Sequence, residues 1–339
     1  MDDDPVRSVL WMVRGAWVTM ALRGACSLGV FDVLEQPRDL AEVAEATRTD
    51  PPTLARLLRC MADLGMVERV GTGGYHNSAL GATLAEGHPS RMRDLLLMQA
   101  TLPNLAAWGA VDDAVRTGSG VFERVNGMPS WQHLAGDPEA QRRFNASMAR
   151  RASGQVAALL GATDLAEFST LIDVGGGRGA MVAGLLERTP SLRGIVADQA
   201  AMAAEADELF AAEGMAARAR GEACDFFVSV PGGGDVYTIS NVLHDWDDGD
   251  AVSILRTVRA AMPDHARLLV VEHVLDAPGR SADELRDIHL VDLHMLVMFG
   301  ARERTQAEYD ALLAEAGFTA SRMAEPVTEW NVLEADPAR

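Results

Sequence analysis

Apolar positions recur at near-helical spacing over residues 8–22, at Leu10, Val13, Trp17, Met20 and Ala21, and predict a first amphipathic helix. A compact apolar run from Leu28 to Leu34 follows, and Pro37 breaks it. Residues 39–44 read as a short helix. Pro51 and Pro52 open another over 53–64, because a first helical turn tolerates proline's missing N–H. Leu54, Leu57, Leu58 and Met61 share one face of it. Gly65 ends this helix, residues 66–70 read as a strand, Gly71-Thr72-Gly73-Gly74 turns the chain, and Tyr75 to Ser78 returns.

Two helices, a strand and a hairpin in that order make a winged-helix pattern. Residues 92–160 are helical in spacing, punctuated by Pro129 and Pro138, with Trp108, Phe122, Trp131 and Phe144 scattered along them. From Leu171 the period alternates. Strands are expected at 171–174, up to 198, at 235–240 and at 267–272, and helices at 181–188, 203–212 and 251–261. That alternation predicts a doubly wound, Rossmann-like α/β sheet. After a helix at 306–316, residues 318–323 and 330–334 read as two closing strands, an antiparallel edge pair. The expected division is 1–95 for the winged-helix-like part, 96–160 for a helical connector contributing to a substrate pocket, and 161–339 for the α/β domain.

Composition narrows the function. The 339 residues carry 30 basic and 49 acidic side chains, a formal charge of −19. Every basic residue is Arg. A Schiff-base lysine and a P-loop are thereby excluded, and an acidic surface disfavours nucleic acid as a partner. The acidic start, Met-Asp-Asp-Asp, is unlike a signal peptide, and no apolar run reaches membrane-spanning length, so a cytoplasmic protein is expected. Cys26, Cys60 and Cys224 are widely separated and read as buried small residues rather than a zinc or redox motif.

The sharpest local feature is Asp173-Val174-Gly175-Gly176-Gly177-Arg178-Gly179 at the end of the first α/β strand. Glycines let the backbone turn tightly and let a ligand approach the peptide units and the next helix. Gly175, Gly177 and Ala180 also satisfy dinucleotide spacing, so a nicotinamide cofactor competes with a methyl donor. Asp198, about 20 residues on, suits the ribose of either. Two features favour S-adenosylmethionine. Asp173 offers a carboxylate to an amino group, and Cys224-Asp225-Phe226-Phe227 sets an acceptor beside aromatic rings suited to an adenine.

With Leu243-His244-Asp245-Trp246, Val271-Glu272, Asp292-Leu-His-Met-Leu and Arg302-Glu-Arg-Thr added, nearly the whole chain resembles a known family. These are the S-adenosylmethionine-dependent small-molecule O-methyltransferases typified by plant caffeic acid methyltransferase, with actinobacterial relatives in antibiotic biosynthesis. The resemblance implies a homodimer built through the winged-helix region, whose first helix carries Trp11 and Trp17, and a small aromatic acceptor. It makes His244 the general base, Glu272 the carboxylate that orients it, Asp245 an assistant, and Glu334 a match to a further acidic position. It assigns Asp173, Gly175 and Gly177 to the methionine part of the cofactor, Asp198 to the ribose, Asp225 and Phe226 to the adenine, with Trp246 near the ring. Met295 matches a methionine that grips flat substrates.

The chain departs from the family at three places. Ser240 stands where the plant enzymes carry a lysine, leaving only a hydroxyl contact. Gln199-Ala200 replaces Leu-Pro, and Cys224 replaces a common glycine. Met98, Trp108, Phe144, Met148, Met298 and Phe299 fall in the expected substrate region, where core packing explains them equally well. Asp287, His289, Asp292 and His294 do not place a ligand set on one helical face, so no metal is expected. Two other classes compete. A winged-helix transcription regulator fits poorly, with only Arg56 and Arg59 as cations on the second helix of that pattern. A family member diverged to hydroxylation or decarboxylation would keep the cofactor, but the intact His244 and Glu272 favour methyl transfer.

Overall fold

Amphipathic helices at the start of the chain enclose a small core in the computed structural model, which describes residues 4–71 and 73–338. Thr72 of the expected turn and residues 1–3 of the acidic start lie outside them. The chain divides into two units. One takes residues up to Leu105 together with Trp131–Arg150, and the other takes Ala106–Ser130 and everything from Arg151 onward. The stretch 96–160 is thus shared between the two.

In the first unit the expected helix over 8–22 is two helices, Pro5–Val13 and Gly15–Ser27, meeting at Arg14. Glycine is the weakest helix former short of proline, and Gly15 marks the break. Asp39 and Glu42 form a reciprocal capping box at the start of helix Leu40–Thr47, and Asp50 caps Pro51–Asp63. Phe31, Leu34, Leu54, Leu58 and Met61 are buried together. Three short strands complete the unit: β1 (Arg38–Asp39), β2 (Val67–Val70) and β3 (Gly74–Asn77), with β3 antiparallel to both neighbours. The first helices leave Val9, Trp11, Met12, Val13 and Trp17 exposed.

The second unit is built on seven strands: β4 (Thr170–Val174), β5 (Arg193–Asp198), β6 (Ala219–Ala223), β7 (Val236–Ser240), β8 (Arg267–Glu272), β9 (Arg322–Met323) and β10 (Asn331–Ala335). Their order in the sheet is β6-β5-β4-β7-β8-β10-β9. β4 to β8 are mutually parallel, and β10 runs antiparallel to both β8 and β9. Near-continuous apolar runs in β4, β7 and β8 reflect a sheet covered on both faces. Helices Ala180–Arg188, Ala200–Ala212 and Asp248–Ala261 supply part of that cover. The order reverses between β4 and β7, so a crevice opens at their carboxyl ends, where such sheets bind ligands.

The first closing strand, expected over 318–323, is only two residues long. Ser321 gives both its N–H and its hydroxyl to Asp310 rather than to a neighbouring strand, and Phe318 makes an isolated bridge to Pro337. Among the described residues, no helix is long and apolar enough to cross a membrane.

Candidate active site

The glycine turn leaves β4 at the reversal point and opens helix Ala180–Arg188. Gly175, Gly177 and Gly179 all take positive φ, at 72°, 56° and 78°, where a side chain is strained. A Cβ on Gly176 would overlap Asp173 Oδ2, and one on Gly175 would overlap the Val242 side chain. A Cβ on Gly177 would meet open space, so the turn presents bare backbone to whatever binds there. Asp198, at the end of β5, braces it: Oδ2 accepts from Gly177 N–H at 2.8 Å while Oδ1 accepts from Gln199 N–H.

Asp173 lies beneath the turn, 1% exposed, with Oδ1 accepting from the Thr238 hydroxyl at 2.7 Å. Its Oδ2 has no partner among the described residues. Burial pushes this carboxyl up to about 7, against the Thr238 bond and with a small addition from Asp198. Two more buried oxygens without partners, Ser240 Oγ and Asn241 Oδ1, stand where β7 ends. Asn241 holds a left-handed φ of 53°, a strained state for a residue with a side chain. Beyond β6, Asp225 stands next to Phe226 and Phe227, whose rings meet Trp246 edge-on at 6.1 and 4.8 Å. Bare turn, unpaired buried oxygens and an aromatic corner together suit a ligand with a polar amino-acid end and a flat heterocycle.

His244 sits on a short 3₁₀ turn, Leu243–Asp245, just after β7, and is 4% exposed. Its Nδ1 donates to Glu303 Oε1 at 2.9 Å, whereas Glu272 Oε2 is 3.8 Å away. Glu272 instead accepts the Val242 and Leu243 N–H groups, both at 3.0 Å, and so fixes the turn. The carboxylate that directly orients the imidazole is therefore Glu303, which periodicity did not single out because it lies in the irregular segment after helix Ala282–Phe299. The Arg302-Glu-Arg-Thr match was its only signal. Glu334, on β10, pairs with Arg322 and Arg267 and makes no contact with His244 among the described residues.

The same segment locks the turn from the other side. Arg302 N–H donates to His244 O, and Asp292 Oδ1 accepts Glu303 N–H at 2.8 Å. Arg304, fully buried, gives its guanidinium to Leu243 O, Trp246 O and Asp248. His244 Nε2 is left with no hydrogen bond among the described residues, its nearest charge being Asp245 Oδ1 at 3.6 Å. Burial alone would make this histidine a weaker base. The charge of Glu272, then the bond and charge of Glu303, outweigh it and push His244 up to about 9. Burial holds Glu272 and Asp245 above the usual carboxylate range, with the imidazolium opposing. His244, Glu272 and Glu303 also have ligand atoms within 4.8 Å of one another, a donor set that a divalent cation could use.

The expected acceptor residues fall in both units. Met295 and Met298 are buried on helix Ala282–Phe299, Met298 in a core with Val121, Phe122 and Val297 against which Trp108 packs. Phe144 and Met148 belong to the first unit, where Phe144 meets Trp131 edge-on at 5.6 Å.

Known proteins resemble this chain along most of its length. The family model for an O-methyltransferase domain matches residues 108–319, and the model for an O-methyltransferase dimerisation domain matches residues 11–87. The phenazine O-methyltransferase of Lysobacter antibioticus is 38% identical over 335 residues, covering 98% of this chain and 97% of that protein. The solved mitomycin 7-O-methyltransferase has a TM-score of 0.88 at 36% identity, over 98% of this chain and 97% of that one. An O-methyltransferase from neocarzinostatin biosynthesis, solved with S-adenosylmethionine and 2-hydroxy-5-methyl naphthoic acid, has a TM-score of 0.78 at 31% identity, over 94% and 96%.

Proposed function

The chain belongs to the O-methyltransferase family, and we propose that it methylates a hydroxyl of a small aromatic natural-product intermediate with His244 as the general base. The observation that carries this reading is the state of His244: Nδ1 tied to Glu303, Nε2 unpaired, on a turn whose Val242 abuts Gly175 of the glycine turn. S-adenosylmethionine, when bound, supplies a methyl group on a positively charged sulfur. Gly175 and Gly177 would admit its methionine end, with Asp173, Ser240 and Asn241 offering unpaired oxygens, Asp198 the ribose contact, and Asp225, Phe226 and Trp246 the adenine site.

His244 Nε2 takes the proton of the acceptor hydroxyl, and Glu303 steadies the imidazolium that results. A phenol near pKa 10 and an imidazole pushed up to about 9 are closely matched, so the proton moves at little cost. Near neutrality the imidazole already carries a proton. On an enzyme whose His244 is already charged, the hydroxyl proton leaves to solvent instead, and the reacting pair of phenolate and imidazolium holds the same number of protons as phenol beside neutral imidazole. Holding oxygen, carbon and sulfur in line is the larger part of the acceleration. The three donor atoms at His244, Glu272 and Glu303 serve proton chemistry here, so turnover should survive a chelator.

The dimerisation domain and the exposed Trp11 and Trp17 support a homodimer. Calorimetric titration with S-adenosylhomocysteine and with NADH tests the cofactor. We expect binding of the adenosyl ligand alone, abolished in Gly176→Ala, whose Cβ would overlap Asp173. Binding of NADH alone would overturn the reading.

A further inference from the structure

Trp108 and His294 meet inside the second unit, with Trp108 Nε1 to His294 Nδ1 at 3.1 Å and the two rings 21° from parallel. An indole N–H can only donate, so His294 Nδ1 must accept, and the ring proton of a neutral imidazole must then sit on Nε2. Nε2 has no hydrogen-bond partner among the described residues, and His294 is only partly buried. Burial, and then the nearby Arg151, push the ring down to about 4, so it stays neutral at any working pH. His294 directly precedes Met295 and lies two residues after Asp292, which holds Glu303 against His244. Arg151 bears electrostatically on both His294 and Asp245.

We propose that His294, held by Trp108 as the Nε2–H tautomer, selects acceptors that carry a ring carbonyl as well as the hydroxyl to be methylated. This rests on the O-methyltransferase reading and names the substrate class within it: hydroxylated aromatic ketones and quinones. Trp108 is then a positioning residue, because without its N–H the imidazole could take the Nδ1–H tautomer, which presents an acceptor at Nε2 and repels the carbonyl. Neutrality matters too. A cationic ring would bind carboxylates and phenolates without regard to the ketone, whereas a fixed neutral N–H rewards an uncharged acceptor placed at one spot.

The test compares 2-hydroxyanthraquinone with 2-hydroxyanthracene, which share the fused rings and hydroxyl and differ in the carbonyls. Binding of each to the S-adenosylhomocysteine complex is measured by fluorescence titration. Wild type should favour the quinone by on the order of tenfold, the worth of one satisfied hydrogen bond. His294→Phe should bring the two within about twofold, and His294→Gln, which keeps a donor, should restore part of the preference. Nitrogen-15 NMR of the wild type should place the His294 proton on Nε2. Equal binding of the two probes by wild type, an unchanged preference in His294→Phe, or a proton on Nδ1 would overturn the inference. Failure of wild type to bind S-adenosylhomocysteine would overturn the underlying function as well.

Discussion

Replacing Glu303 by glutamine removes a charge from His244 while keeping an oxygen able to accept from Nδ1. The rise of His244 from 6.5 to about 9 is a difference of roughly 3.4 kcal/mol between its protonation states, at 1.36 kcal/mol per pH unit. Because burial opposes that rise, the carboxylates contribute more than this net figure. Glu303 is the nearer of the two at Nδ1, at 2.9 Å against 3.8 Å for Glu272. Glu303→Gln should therefore lower the His244 midpoint by about two pH units, to near 7, with the charge of Glu272 still opposing burial. The assay is an NMR pH titration of the His244 ring, which needs no acceptor. Linkage gives a second readout. A histidine raised in the folded state stabilises the fold fully below about 6.5 and loses that contribution as pH rises through about 9. Wild type should lose stability between pH 7 and 10, and Glu303→Gln should lose less. A variant midpoint still near 9 would refute the assignment and return the orienting role to Glu272.

Other outcomes follow from the same contacts. Asp173→Asn should stabilise the protein at pH 8 by roughly 2–4 kcal/mol in urea unfolding, and by less at pH 5. The sign comes from a carboxyl raised from 3.8 to about 7, whose contribution is complete below the lower value and lost through the higher. Equal effects at both pH values would contradict it. Arg304→Lys should cost about 3 kcal/mol, because a point charge cannot serve Leu243 O, Trp246 O and Asp248 at once. Its kcat should fall further than its KM rises, since the His244 turn loosens; a KM effect alone would place Arg304 at substrate binding.

Strands β4, β5, β7, β8 and β10 were legible because each contains a short apolar run, and the glycine turn because its spacing is local, whereas β6, Ala-Arg-Gly-Glu-Ala, offers no such run. Features that depend on distant partners were not legible. Glu303 lies 59 residues from His244 and in no periodic segment, so its role emerges only when the chain closes. The break at Arg14 leaves the apolar spacing intact on both sides and so gives no periodic sign. Ser321 looks compatible with a strand until Asp310 takes its N–H. The pairing of Trp108 with His294, across 186 residues, had no sequence signature at all.

The most direct test of the central claim measures S-adenosylhomocysteine affinity and methyl transfer to a phenolic acceptor side by side in wild type and His244→Ala. The account predicts that turnover falls by at least about a hundredfold, as removal of a general base should, while affinity stays within about twofold. Parallel loss of turnover and affinity would contradict it and make His244 a structural residue of the cofactor site.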